Sequence, residues 1–460
     1  MSEQVDVVVV GMGVGGEEVA GRLAEAGLSV VGVEAGLVGG ECPYWGCVPT
    51  KMMVRAGGVV AEVGRAEPIA GPARIEPDWG LVAHRIRYEA TDSWDDKVAV
   101  DRFVGKGGRF VRGRAIISAV GEVTVGDKVF WAGRGIVVAT GAVPAVPDVP
   151  GLAGSPYWTN RDAVKVERPP ASLLVMGGGA VGLELGQVFA RFGTKVTVVE
   201  AADRLLPGEE PEAGHLVAEV LGGEGVDVRV GTAVEGVRYD GSGFVVDLGD
   251  GARVEAERLL VATGRRTDLA GLGLDVYGVD AGARAVPTDE RLRAAEGLWA
   301  VGDVTGHGAF THMAMYQAGV VVRDILGEAG RPASYHAVPR VTFTDPEVGA
   351  VGVTVDAAHA AGVPVRVGVA QVPSSARGWI HKAGNDGFIK LVEDTDRNVL
   401  IGATAVGPHG GEVLGALAVA VHAGVPTATL RDMIYAYPTF HRAIEDALAD
   451  LRSHDGRADA

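Results

Sequence analysis

Two stretches of the chain carry the same pattern of apolar and polar positions. Residues 5–10 (VDVVVV) read as a buried strand and run straight into Gly11-Met12-Gly13-Val14-Gly15-Gly16. A helical stretch to Ala26, Gly27 and a second strand from Leu28 to Val33 then lead to Glu34. Residues 172–200 repeat this: SLLVM, then Gly177-Gly178-Gly179-Ala180-Val181-Gly182, a helix to Phe192, Gly193, and KVTVV ending in Glu200. In both copies the acid stands 23 residues after the first glycine. Two further buried strands end alike, GIVVATG (135–141) and LLVATG (259–264), and Leu298–Val301 ends in Gly302-Asp303. Pro-rich stretches at 143–150 and 168–170 read as crossovers between two such layers. Past about residue 335 the texture changes. Strands are expected over 338–353, 387–392 and 399–406, and helices over 412–423 and 440–451, with the last ten residues frayed.

A strand, a glycine turn, a helix and an acid at this distance form a dinucleotide-binding unit. The first glycine makes the tight turn, and the second clears the way for a pyrophosphate. The third lets helix and strand pack closely, and the terminal carboxylate accepts from ribose hydroxyls. One GxGxxG is weak evidence; two in full context predict two dinucleotide sites, hence electron transfer between two cofactors. The fold class expected is α/β, two Rossmann-like domains followed by an α+β domain.

Composition narrows the partners. The chain has 460 residues, long enough for two or three domains, with 70 glycines and 47% hydrophobic residues. Its 42 basic and 59 acidic residues give a net charge of −17 with no basic stripe, which argues against nucleic acid. No apolar run approaches the ~18 residues of a membrane helix, and the N-terminus lacks signal-peptide features, so the expectation is cytoplasmic. Only two cysteines occur, Cys42 and Cys47. That excludes a disulfide-stapled scaffold and a thiolate metal cluster, and no metal site is expected. A C-x4-C pair is either a chance pair of small buried residues or a redox pair.

The ordered motifs GMGVGG, GGECPYWGCVPTK (39–51), GGGAVGLELG (177–186), ATGRR (262–266), VGD (301–303) and YAYPTFH (435–441) resemble the pyridine nucleotide–disulfide oxidoreductase family along essentially the whole chain. The resemblance implies an FAD domain at 1–151 completed by 270–335, an NAD domain at 152–269, and an interface domain at 336–460. It implies FAD held by Gly11, Gly13, Gly16, Glu34, the backbone of Ala115, and Asp303 at the ribityl chain. Thr140, Gly141 and Ala314 are further expected cofactor contacts. The nicotinamide nucleotide would be held by Gly177, Gly179, Gly182, Glu200, Val234 and Gly264. A carboxylate at Glu200 repels a 2′-phosphate, which favours NADH over NADPH, although Arg204 lies close. By the same resemblance Cys47 is the charge-transfer thiol and Cys42 the interchange thiol, and Lys51 and Glu184 form an ion pair beside the flavin. Val48-Pro49-Thr50-Lys51 reads as a helix start, where a thiol gains thiolate character. The implied assembly is a homodimer with the active site shared between chains.

The pattern breaks at the C-terminal motif. Disulfide-reducing members carry a histidine before Pro-Thr and a glutamate five residues later; here those positions are Tyr437 and Arg442, with Glu445 three further on. A tyrosine of ordinary pKa ≈ 10 is a poor general base at neutral pH. Two remedies stay open. His441, one helical turn from Tyr437, substitutes; or the acceptor needs no proton shuttle, as with quinones and metal ions. Mercuric reductase shares the tyrosine, but its C-terminal cysteine pair is absent here. Between the cysteines, Tyr44 and Trp45 either pack the loop or narrow the thiol side and stack on an aromatic acceptor. The function expected is electron transfer from NAD(P)H through flavin and a Cys42–Cys47 disulfide to a small disulfide, as in a dihydrolipoamide dehydrogenase. The alternatives are a quinone or metal-ion reductase and, behind these, a low-turnover redox sensor.

Overall fold

The computed structural model describes residues Ser2–Ser453; the polar tail expected to fray lies, from residue 454 on, outside them. Among the described residues the chain divides into two compact units. The first comprises residues 2–50, 83–145 and 264–335, and the second 51–82, 146–263 and 336–453.

The first unit is built on an eight-stranded sheet whose main path runs Arg293–Ala295, Leu298–Ala300, Lys128–Val138, Ser2–Val10, Val30–Glu34, Arg109–Arg112. Ser2–Val10 pairs in parallel with both neighbours. Its run of valines follows from burial on both faces, as a parallel sheet requires. Val8 and Val10 enter one apolar cluster, and Val7 and Val9 the opposite one. Helix Val14–Glu25 covers one face with Val19, Ala20 and Leu23, and helix Thr311–Leu326 packs beside it. The strand ending in Ala-Thr-Gly begins earlier than its apolar core indicated. It spans Lys128–Val138, and its first half continues an antiparallel meander with Ala115–Ala119 and Glu122–Val125, turned at Gly121 and Gly126 with φ of +77° and +60°. The start of the proline stretch after Gly141 forms a short ribbon within this unit, Val143–Pro144 against Arg265–Arg266, while residues 146–150 and the other proline stretch, 168–170, belong to the second.

The second unit contains a four-stranded parallel sheet ordered Asp227–Arg229, Lys195–Val199, Ser172–Met176, Arg258–Val261. A three-stranded antiparallel sheet, Val234–Tyr239, Phe244–Leu248 and Arg253–Ala256, joins its core. A five-stranded antiparallel sheet is ordered Pro339–Thr342, Glu347–Gly352, Val399–Gly407, Phe388–Asp394, Val365–Gln371, and helices Gly410–Ala423 and Ala443–Ser453 pack on it. Strand Val365–Gln371 was not foreseen. The helix expected from Phe440 opens instead as a 3₁₀ turn, Phe440–Arg442, before Ala443–Ser453.

Within the second unit, ion pairs tie the C-terminal sheet to the nucleotide layer. Arg191 contacts Glu224 and lies 2.7 Å from Asp345, which also meets Arg65 at 2.8 Å; Lys390 Nζ lies 2.7 Å from Glu210 and 2.8 Å from Glu212. Segment 51–82 joins this unit through Trp79, whose indole stacks on Phe189 and donates to the Val166 carbonyl at 2.7 Å.

Candidate active site

The two glycine loops have the same geometry. Gly11 and Gly177 have φ of +94° and +112°, where a side chain is strained, and an added Cβ would lie 2.5 Å from the Ala139 carbonyl oxygen or 2.4 Å from that of Ala262. Each loop is thus packed under the strand that ends in Ala-Thr. Gly16 and Gly182 sit against Gly11 and Gly177, with Cβ-to-carbonyl distances of 1.9 and 2.3 Å. Gly13 and Gly179 differ: an added Cβ there meets nothing within 4 Å, and the same holds at Gly141 and Gly264. The open positions lie at the N-termini of helices Val14–Glu25 and Ala180–Arg191, where backbone N–H groups and the helix dipole favour phosphate.

Both acids close their loops. Glu34 accepts from the Met12 and Gly36 N–H groups at 2.7 Å each; Glu200 accepts from Gly178 at 2.6 Å and Ala202 at 2.7 Å. Each carboxylate therefore holds its glycine turn through both oxygens. Arg204 is turned to its neighbours, donating to Asp203 at 3.2 Å and to the Pro207 carbonyl at 3.1 Å. Ala115, itself buried, opens the strand Ala115–Ala119 two residues after Gly113, whose N–H donates to the Glu34 carbonyl at 2.9 Å. Val234 opens the strand Val234–Tyr239.

Thr140 has a buried hydroxyl with no hydrogen-bond partner among the described residues. Such a group costs free energy unless something satisfies it. Together with the open glycine positions it shows that the first loop fits a bound dinucleotide. Asp303, in the turn after strand Leu298–Ala300, is mostly buried, and burial pushes its carboxyl above the usual range against the pull of Arg265, 3.7 Å away. Arg265 also lies 3.4 Å from Glu41, and Gln317 accepts from the Gly302 N–H at 2.7 Å. Ala314 is buried in helix Thr311–Leu326, 3.1 Å from the place of a Cβ on Gly15.

Cys42 lies in the one-turn helix Glu41–Tyr44, and Cys47 is the first residue of helix Cys47–Gly64. Both are present as thiols, Cys47 exposed and Cys42 half-buried. Cys47 Sγ lies 3.4 Å from Thr311 Oγ1, so its helix N-terminus and a hydroxyl converge on one sulfur. Lys51 follows four residues along the same helix. Its Nζ donates to Glu184 at 2.6 Å and lies 4.8 Å from the Phe343 ring centre; Glu184 is buried and its other oxygen accepts from the Phe343 N–H at 2.9 Å.

The C-terminal motif departs from its expected geometry. Tyr437 and His441 do not share a helix: Thr439 is extended, with φ of −133°, and the 3₁₀ turn begins only at Phe440. Tyr437 is 69% exposed, with the Arg442 guanidinium over its ring at 5.6 Å. His441 instead meets Thr439 Oγ1 at 3.4 Å. Thr311, Arg265 and Gln317 escaped the sequence reading. Arg265 at least stood inside ATGRR, whereas nothing local marks Thr311, 264 residues from its partner.

Residues 5–318 match the pyridine nucleotide-disulphide oxidoreductase family, and residues 338–448 match its dimerisation domain. The chain belongs to this family. Dihydrolipoyl dehydrogenase of Chlorobaculum tepidum is 32% identical over 475 aligned residues, covering 98% of this chain and 97% of that protein. Mercuric reductase of Staphylococcus aureus is 30% identical, covering 96% and 81%. Among solved structures, the Cu(II) complex of the HOCl-induced flavoprotein disulfide reductase RclA from Escherichia coli superposes with a TM-score of 0.85 at 26% identity, covering 98% of this chain and 99% of that one. LpdA from Mycobacterium tuberculosis gives 0.85 at 27%, with the same coverage. As a member of the family this protein is an FAD-dependent oxidoreductase using NAD(P)H, and its dimerisation domain implies a homodimer. Among the described residues no helix is long and apolar enough to cross a membrane.

Proposed function

We propose that the enzyme reduces a small disulfide with electrons from NADH, through FAD and the Cys42/Cys47 pair. The observation that carries this is Cys47 at a helix N-terminus with the Thr311 hydroxyl 3.4 Å from its sulfur, five residues after the half-buried Cys42. Gly11, Gly13, Gly16, Glu34, Ala115, Thr140, Gly141, Asp303 and Ala314 would hold FAD, and Gly177, Gly179, Gly182, Glu200, Val234 and Gly264 the nicotinamide nucleotide. FAD, when bound, accepts hydride from the nicotinamide and returns two electrons to the cysteine pair.

The chain's own residues supply the rest. Cys42, as thiolate, attacks one sulfur of the substrate disulfide and releases the first product thiol. Cys47 then attacks the Cys42 sulfur of the mixed disulfide and releases the second. The substrate gains two electrons and two protons, and the pair becomes a disulfide. The helix N-terminus and Thr311 favour the Cys47 thiolate. Lys51 keeps a positive charge in place through Glu184, itself fixed by the Phe343 N–H. The preference for NADH is supported by Glu200, whose carboxylate is fixed by the Gly178 and Ala202 N–H groups while Arg204 is engaged with Asp203 and Pro207.

A second reading is favoured by one specific observation: the residue before Pro438-Thr439 is Tyr437, exposed and beneath the Arg442 guanidinium, where disulfide-reducing members of the family carry a proton-shuttling histidine. An acceptor that needs no thiol proton, a quinone or a metal ion, suits that arrangement, with Tyr437 and His441 contributed across the dimer. An acceptor panel run with NADH and NADPH decides between them. The disulfide reading expects turnover of lipoamide or another small disulfide that is abolished in Cys42→Ser. Quinone turnover intact in Cys42→Ser, with every disulfide inert in the wild type, overturns it.

A further inference from the structure

Asp92, Ser93 and Trp94 have φ of +46°, +60° and +61°, three successive side-chain-bearing residues in the left-handed region. L-residues avoid that region, and a run of three persists only where the surroundings over-determine it. On one side the turn is anchored by the buried Thr91, whose hydroxyl donates to the Ile86 and Arg87 carbonyls at 3.0 and 3.1 Å and accepts from the Trp94 N–H at 3.4 Å. At its end Asp96 accepts from the Val38 N–H at 2.7 Å.

On the other side the turn grips the segment between the two cysteines. The Trp94 indole N–H donates to the Tyr44 carbonyl at 3.2 Å, and its rings stack on Trp45 with centroids 5.9 Å apart and planes 19° from parallel. The Tyr44 hydroxyl donates to the Asp95 carbonyl at 3.5 Å. Tyr44 is buried, and burial, with Asp96 nearby, raises its phenol above the usual range, so it stays a donor at any working pH. Tyr44 and Trp45 are half of the four residues that separate Cys42 from Cys47.

We propose that Trp94, held in its left-handed turn, is a positioning residue that clamps the Cys42–Cys47 segment and sets the effective concentration of one thiol at the other. The proposal rests on the reading of Cys42 and Cys47 as the redox pair. A segment held in bonding geometry favours the intramolecular disulfide; one free to move weakens it against an external thiol, as with any tethered pair. The reaction to follow is Cys42-SH plus Cys47-SH plus glutathione disulfide, giving the Cys42–Cys47 disulfide plus two glutathiones.

The test equilibrates the holoenzyme in glutathione redox buffers, traps thiols by alkylation and reads the mass shift. With two cysteines in the chain, the internal disulfide carries no alkyl adduct, the dithiol two, and a glutathione mixed disulfide one alkyl and one glutathione. Trp94→Ala is expected to move the equilibrium about tenfold toward the dithiol, about 30 mV less negative in potential. Trp94→Phe and Trp45→Phe keep the fold and are expected to move it at least threefold each. Their double variant should move it by less than the two effects combined, because both weaken the one Trp45–Trp94 stack while Trp94→Phe alone also loses the bond to the Tyr44 carbonyl. Phe variants that retain FAD and wild-type circular dichroism yet equilibrate within twofold of the wild type overturn the clamp. If the wild-type pair never forms a disulfide across the buffer range, the redox-pair reading falls, and the clamp with it.

Discussion

Gly179→Ala separates cofactor binding from folding. At Gly179 the backbone has φ −87° and ψ 178°, extended geometry that alanine adopts freely, and the new methyl would touch nothing within 4 Å. The folded protein bears no strain, and the unfolded chain loses freedom, so the apoprotein should gain about 0.4–1 kcal/mol. The methyl would, however, stand where the pyrophosphate must approach the helix N-terminus. Losing one charge-assisted hydrogen bond there costs about 1.5–3 kcal/mol, a ten- to hundredfold weaker Kd for the nicotinamide nucleotide. NADH binding is read by flavin fluorescence or calorimetry, with FAD content as the control that the first loop is untouched. Gly13→Ala, with φ −66° and the same open surroundings, should give the converse: a folded protein purified with little FAD. Gly182→Ala is the contrast, because its Cβ would lie 2.3 Å from the Gly177 carbonyl oxygen and the backbone must move, lowering Tm. NADH affinity within twofold of the wild type in Gly179→Ala would refute the assignment of this loop.

Burial alone would raise the Asp345 carboxyl, but Arg191 and Arg65 overcome it and hold it below the ordinary carboxylate range. Its stabilising contribution is therefore complete above the unfolded pKa of about 3.9 and disappears as pH falls through the lower folded value. Asp345→Asn should cost about 3 kcal/mol at pH 7, the lower end for breaking a largely buried pair, with the Tm gap to wild type closing below about pH 4; a pH-independent gap contradicts this. Thr311→Val removes the hydroxyl 3.4 Å from Cys47. In a Cys42→Ser background, where Cys47 is the single thiol, alkylation near neutral pH should slow about threefold or more, and Thr311→Ser should restore it. Tyr437→His supplies the missing proton carrier, so lipoamide turnover should rise at least tenfold if that absence limits disulfide reduction; an unchanged rate points to the quinone or metal-ion acceptor.

The parts legible in the sequence are those whose physics is local. Each glycine loop spells out its turn, its open position and its helix start within six residues, and the acid follows after one helix and one strand. The Cys47 helix start was legible for the same reason, with Pro49 in its first turn. Contacts made by distant residues left no such trace. Thr311 meets Cys47 across 264 residues, and Trp94 reaches Trp45 from a turn whose left-handed backbone no residue type announces. Periodicity misplaced His441, because a helix drawn back from Ala443 through Phe440 continues smoothly on paper to Tyr437, whereas Pro438 and the extended Thr439 break it. Arg191, Arg65 and Lys390 look like ordinary surface charges in the sequence, and only the fold shows them joining the C-terminal sheet to the nucleotide layer.

In the proposed mechanism, electrons entering from the nicotinamide nucleotide reach Cys47 beside the flavin. An anaerobic NADH titration followed by absorbance tests it most directly. The wild type and Cys42→Ser should show a long-wavelength band from the Cys47 thiolate against oxidised flavin, after two-electron reduction in the wild type and without reductant in Cys42→Ser, and Cys47→Ser should lack it. A wild type without the band, or a band that survives in Cys47→Ser, would contradict the account.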